Sequence, residues 1–246
     1  MFIKADWPAP ANVNAYTTLR KGGVSETPFD QLNLAQNVGD NPEQVDKNRS
    51  ILKQELKLPA DPIWINQTHS TIAIPANIEN TGKEADASYT ALAEQVCIIT
   101  TADCLPLLVC NRKGTHVAAI HAGWRGLSKG VIENTLNALN LPPEDILVWL
   151  GPAIGPKHYE VGDEVRDFFL QIDPEASKAF TPSINQRWLA DLYTLARLRL
   201  KKLGISAVYG GKYCTYSDPE NFYSYRRDGN KTGRMASLIW LNDSSN

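Results

Sequence analysis

Four short runs of this chain, residues 96–101, 105–110, 117–120 and 146–150, are apolar or β-branched at every position. A strand with one wet face alternates apolar and polar residues. A run that does not alternate is buried on both faces, and runs this short are strands rather than core helices. Strands 63–65, 208–209 and 238–240 are read on the same grounds. Between them lie helical patterns at 42–56, with Pro42 in the first turn, and at 160–171 and 186–203. A further helix is predicted over 126–139, where Leu127, Val131, Thr135 and Leu139 recur at helical spacing. Buried strands alternating with helices predict a layered α/β fold, a multilayer sandwich with mixed rather than purely parallel sheets.

Nothing divides the chain. There is no internal repeat and no linker rich in proline, glycine or serine, so residues 1–246 are expected to form a single domain. An apolar content of 43% supplies a core without help from disulfides. The four cysteines do not resemble a secreted disulfide scaffold. Residues 1–8 carry an acid and a proline where a signal peptide needs an apolar run. No run approaches the ~18 apolar residues of a membrane span. A cytoplasmic protein is expected. With 25 basic against 27 acidic residues the net charge is −2, which excludes a strongly basic footprint for nucleic acid or an anionic membrane.

The reactive side chains fall where the apolar runs stop. His69 follows the strand at 63–65, Cys104 sits in Thr101-Ala-Asp-Cys-Leu-Pro106, and His121 opens His121-Ala-Gly-Trp-Arg-Gly-Leu127. Ligand crevices form at strand ends in α/β sheets. A cysteine and two imidazoles form a ligand set for zinc that leaves one position open, the catalytic arrangement. Their spacings are too long for a metal motif, and a buried cysteine beside two core histidines is the plainer reading. Asp103 interrupts an apolar stretch. It is either a turn residue or an acid placed for general acid–base work.

Three segments pair cations with flexible or aromatic residues. Gly123 and Gly126 permit close backbone approach, and Arg125 between them makes a plausible anion seat. Arg20 and Lys21 precede Gly22-Gly23, which could hold a phosphate or carboxylate but lacks the spacing of a nucleotide-binding P-loop. Tyr223-Ser-Tyr-Arg-Arg-Asp228 and Lys231-Thr-Gly-Arg234 read as a solvated loop, with a substrate clamp as the alternative. Cys97 and Cys110 read as core residues, Cys214 as structural and His116 as exposed. His158 lies in a loop that could approach the site.

The strings Thr101-Ala-Asp-Cys-Leu-Pro106, His121-Ala-Gly-Trp-Arg-Gly-Leu127, Leu150-Gly-Pro-Ala-Ile-Gly-Pro156 and Tyr223-Ser-Tyr-Arg-Arg-Asp228 occur in this order. Together they resemble the YfiH-type family, also called the laccase-domain or multicopper polyphenol oxidase family. The resemblance runs from about Arg20 to Trp240. It implies a cysteine-hydrolase-like multilayer fold and a metal site of His69, Cys104 and His121, with zinc the usual occupant and copper the alternative. It implies phosphorolysis of adenosine, inosine, guanosine and methylthioadenosine, and deamination of adenosine. The substrates would be small purine nucleosides and phosphate, with Asp103, Cys104 and His121 catalytic. Arg20, Asn33, Arg125 and Arg234 would bind substrate, Arg20 and the other arginines on phosphate and Asn33 on ribose. The family's Gln-Val-His-Gly reads Gln67-Thr68-His69-Ser70 here, and a cysteine common after Gly-Pro is replaced by Lys157-His158. Four histidines in all cannot furnish both a blue copper site and an imidazole-rich trinuclear cluster, which disfavours a multicopper oxidase. Three competing readings are a Cys–His hydrolase with Cys104 as nucleophile, an amidase attached to peptidoglycan editing; a copper-dependent polyphenol oxidase, since two histidines and a cysteine also suit a lone copper site; and a binding module without turnover.

Overall fold

The central apolar runs become the middle of two sheets. The computed structural model describes residues 1–243. The larger sheet has six strands in the order Val208–Gly210, Ile146–Leu150, Leu105–Asn111, Val117–Ala122, Ala87–Thr90 and Ala73–Pro75. Its two edge strands pair in parallel and the rest antiparallel, so the sheet is mixed. The second sheet has four antiparallel strands in the order Phe2–Lys4, Val13–Thr18, Met235–Leu241 and Cys97–Thr101. A small antiparallel sheet joins Phe180–Pro182, Trp188–Ala190 and Glu160–Val161.

Alternation along the strands assigns the layers. Leu105, Leu107 and Val109 face helices Val131–Leu139 and Leu192–Lys202 across one core. Leu108, Cys110, Val117 and Ala119 face the other way, onto Cys97, Ile99 and Ile239 of the four-stranded sheet. That sheet's far side, with Ile98 and Leu238, is covered by Leu32, Leu34 and Leu52, the last from helix Pro42–Glu55. The order is therefore helix, sheet, sheet, helices: a mixed α/β sandwich, as the alternating pattern predicts. No helix among the described residues is long and apolar enough to cross a membrane.

Four local readings are corrected. Residues 63–65 make no strand; Ile63 and Asn66 contribute only isolated bridges, to Cys97 and Glu84. The helix expected over 126–139 is two, Trp124–Lys129 and Val131–Leu139, cut at Gly130 with φ 99°. The helices expected at 160 and 186 begin later, at Asp163 and Leu192, because Glu160–Val161 and Trp188–Ala190 are strands of the small sheet. Strands Phe2–Lys4, Val13–Thr18, Ala73–Pro75 and Ala87–Thr90 were not legible as apolar runs.

Candidate active site

The register of three neighbouring strands builds the site. Pro106 pairs with His121, so Cys104 lies just before its strand, next to the end of the strand that carries His121. Ala87 pairs with Ile120, which sets Asp86 beside His121 on the other side. His121 shares the parity of Val117 and Ala119, the face turned toward the four-stranded sheet. The three groups therefore stand in a row, where the two sheets part.

His69 completes the cluster. The ligand atoms of His69, Cys104 and His121 lie within 4.8 Å of one another. Cys104 Sγ is 3.9 Å from His69 Nε2. The donor set fits zinc or copper: one soft sulfur and two imidazoles. The surrounding chain is shaped to it. A Cβ on Gly123 would fall 2.8 Å from His69 Cδ2 and 3.0 Å from Cys104 Sγ, so only glycine lets the chain pass.

Asp86, which sequence reading did not single out, holds two of these ligands. It is wholly buried. Its carboxylate accepts from His121 Nδ1 at 2.7 Å, from His69 N at 3.1 Å, and from the backbone and hydroxyl of Ser70. The bond to Nδ1 turns Nε2 toward the cluster, the role a carboxylate plays behind a ligating histidine. The contacts to residues 68–70 pin His69 at φ 58°, a left-handed conformation unusual for histidine. The positive φ falls on His69 rather than on Ser70, whose hydroxyl donates to the same carboxylate. Burial alone would raise the Asp86 carboxyl, but the bonds from His121 and Ser70 outweigh it and hold the group below the usual carboxylate range. Burial also opposes charge on Cys104 and His121. Each offsets that for the other, so the thiol is lowered and the imidazole raised.

Asp103 has a different set of partners. At φ 87°, its carboxylate accepts from Thr215 Oγ1 at 2.6 Å, Ser224 Oγ at 3.0 Å and Arg226 N at 2.7 Å. It therefore ties the 215–226 region to the Cys104 turn.

A cavity of about 470 Å³ opens over the cluster. Its wall carries His69, Asp103, Cys104 and His121 together with Tyr159, Tyr225 and the guanidinium-bearing Arg125, Arg226 and Arg234. The basic and aromatic segment near the C-terminus is thus part of the cavity wall, not a solvated loop. Tyr225, 52% exposed, opens short helix Tyr225–Asp228, which Ser224 caps. Burial pushes the Tyr159 phenol up, so it keeps its proton.

Two residues expected to bind substrate, Arg20 and Asn33, do not line this cavity. Arg20 spends its guanidinium on Asp30 and the Pro219 carbonyl and stacks on Tyr223. Asn33 is fully buried; it accepts from Arg234 N at 3.0 Å and donates to Asp40. Asn33 reaches the cavity only through the backbone of Arg234. His116 bonds Thr115 and His158 stacks on Tyr216, so neither joins the cluster. Among the described residues, the His69–Cys104–His121 cluster is the one group of three or more such side chains close enough to share an ion.

Comparison with known proteins follows the same lines. The profile of the multi-copper polyphenol oxidoreductase laccase family matches residues 14–242. The chain belongs to this family. Within it, a curated relative from Pseudomonas aeruginosa named purine nucleoside phosphorylase is 51% identical, covering 98% of this chain and 99% of that one. The purine nucleoside phosphorylase YfiH of Escherichia coli is 50% identical over 97% of this chain and 98% of its own. A crystal structure of a Neisseria meningitidis protein superposes with a TM-score of 0.94 at 51% identity, covering 98% and 99% of the two chains. YlmD from Geobacillus stearothermophilus superposes at 0.92 with 29% identity, covering 98% of this chain and 96% of its own.

Proposed function

We propose that this protein cleaves purine nucleosides with inorganic phosphate at a metal-holding His69–Cys104–His121 site. The observation that carries the reading is the cavity. It brings three guanidinium groups and two tyrosines over the Cys-His cluster in a volume of drug-molecule size. The relatives' names support the same reading. Adenosine, inosine, guanosine and methylthioadenosine are the proposed substrates, with deamination of adenosine as a second activity.

His69, Cys104 and His121 would hold zinc, with copper the alternative. When bound, the ion supplies a Lewis-acid centre at the cavity floor. The chain's own groups do the rest. Arg234, Arg125 and Arg226 hold the phosphate, whose charge suits a guanidinium fork. A phosphate oxygen attacks C1′ as the bond to the purine nitrogen breaks. The departing purine takes its electron pair and the proton that hydrogen phosphate releases. Tyr159 and Tyr225 offer faces for the base, and the protonated Tyr159 hydroxyl offers it a hydrogen bond. Asp103, its oxygens filled by three donors, serves by holding Arg226 and the 215–226 region rather than by delivering a proton.

The row Asp86–His121–Cys104 favours one other reading, since a carboxylate behind an imidazole beside a thiol is the layout of a cysteine hydrolase. Incubation with adenosine, with and without phosphate, separates the two. Phosphate-dependent adenine and ribose-1-phosphate support phosphorolysis, and inosine supports the deaminase. No nucleoside turnover, with metal-independent alkylation of Cys104, supports the hydrolase.

A further inference from the structure

The cavity over the cluster has a neighbour. A second chamber of about 270 Å³ shares Asn37, Gln67 and Thr100 with it. Gln67 is fixed there: its amide donates to Thr100 O at 2.9 Å and accepts from Thr100 N at 2.7 Å. Asn37 lies opposite in a short 3-10 turn, Gln36–Val38. The first chamber alone is within the size range of a small-molecule site, so the second is room beyond it.

Its wall is built for an anion. Arg49 lies 3.7 Å over the Trp64 ring. Its Nε and Nη2 both donate to Leu34 O, at 3.1 and 3.0 Å, and Nη1 has no hydrogen-bond partner among the described residues. No carboxylate forms an ion pair with it among the described residues; Asp46 lies near but bonds Gln36. Burial pulls Arg49 down to about 10, against the opposing pull of the nearby Asp46 carboxylate. The indole and its stacked guanidinium make one flat platform, fixed by the Leu34 carbonyl. Asn66 and Asn37 add polar groups to the same wall.

We propose that this Trp64–Arg49 chamber is a second subsite, which seats an oxyanion carried by the substrate away from the bond that breaks. The inference rests on the nucleoside reading above. It names the substrate class more narrowly: nucleosides with an acidic extension, a carboxylate or a phosphate ester, bound on Arg49 Nη1 with their apolar part against Trp64.

The test compares the whole protein's KM for adenosine, for adenosine with its 5′ carbon oxidised to a carboxylate, and for adenosine 5′-monophosphate. A charge-assisted bond predicts a KM roughly tenfold lower for at least one acid than for adenosine. Which acid gains tells carboxylate from phosphate. In Arg49→Gln that KM ratio collapses toward one, and Arg49→Lys, which keeps the charge but not the fork, recovers part of it. If neither acid gains over adenosine, or if Arg49→Gln weakens adenosine and the acids equally, the subsite is overturned. The wild-type arm decides even where Arg49→Gln does not fold. A folded protein that neither binds nor turns over adenosine removes the nucleoside reading and the subsite together. Turnover of adenosine with no gain from either acid removes the subsite alone.

Discussion

Two buried aspartates flank Cys104, and they do different work. Asp86 gathers donors from His121 and from the turn at 68–70, so it sets the orientation of two ligands. Asp103 gathers donors from Thr215, Ser224 and Arg226, far away in sequence, so it sets the wall that carries the arginines. Burial and acidity are common to both. What distinguishes them is who donates: an imidazole makes the carboxylate part of the His69–Cys104–His121 cluster, while hydroxyls and a backbone amide make it a brace. A buried acid is thus interpreted from its partners, not from its own position.

The largest expected effect is at Asp86. Asp86→Ala strips the acceptor from His121 and from three backbone amides, which for a buried charged partner costs about 3–5 kcal/mol. Thermal unfolding should show a fall of roughly 2–4 °C per kcal/mol, with loss of bound metal. A variant with wild-type stability and full metal content would erase the contrast. Asp103→Asn keeps the shape and one acceptor, so a loss of about 1–3 kcal/mol is expected, with metal content intact and KM for phosphate raised as Arg226 shifts. If this variant loses metal instead, the two acids belong to one cluster.

The arginines sharpen the same contrast. Arg234→Met should raise KM for phosphate ten- to a hundredfold, the value of a charge-assisted pair of about 1.5–3 kcal/mol. Arg20→Met should lower the melting temperature by a few degrees, through its lost bonds to Asp30 and Pro219, and change KM for phosphate less than twofold. Equal kinetic effects of the two would place Arg20 in the cavity after all.

The same two acids show what the sequence could carry. Asp103 is conspicuous because it breaks a continuous apolar stretch. Asp86 precedes the four-residue strand Ala87–Thr90, whose Ala-Ser-Tyr-Thr composition has no apolar run to announce it. The central strands were legible because burial on both faces leaves an unbroken apolar signature. Val13–Thr18 was not, since its polar residues pair inward, as Thr17 does with Ser237. The cluster residues could be named from strand ends and from the family resemblance. The placement of Arg20 could not, because a cation beside glycines looks alike whether it faces a ligand or, as here, a carbonyl and a carboxylate of its own chain.

The central claim is that the cavity's chemistry runs through the Cys104 cluster. It is tested most directly by giving adenosine and phosphate to wild type and to Cys104→Ala, with folding verified by thermal unfolding. The account predicts phosphate-dependent adenine and ribose-1-phosphate from wild type and none from the folded variant. Full phosphorolysis by Cys104→Ala would contradict it.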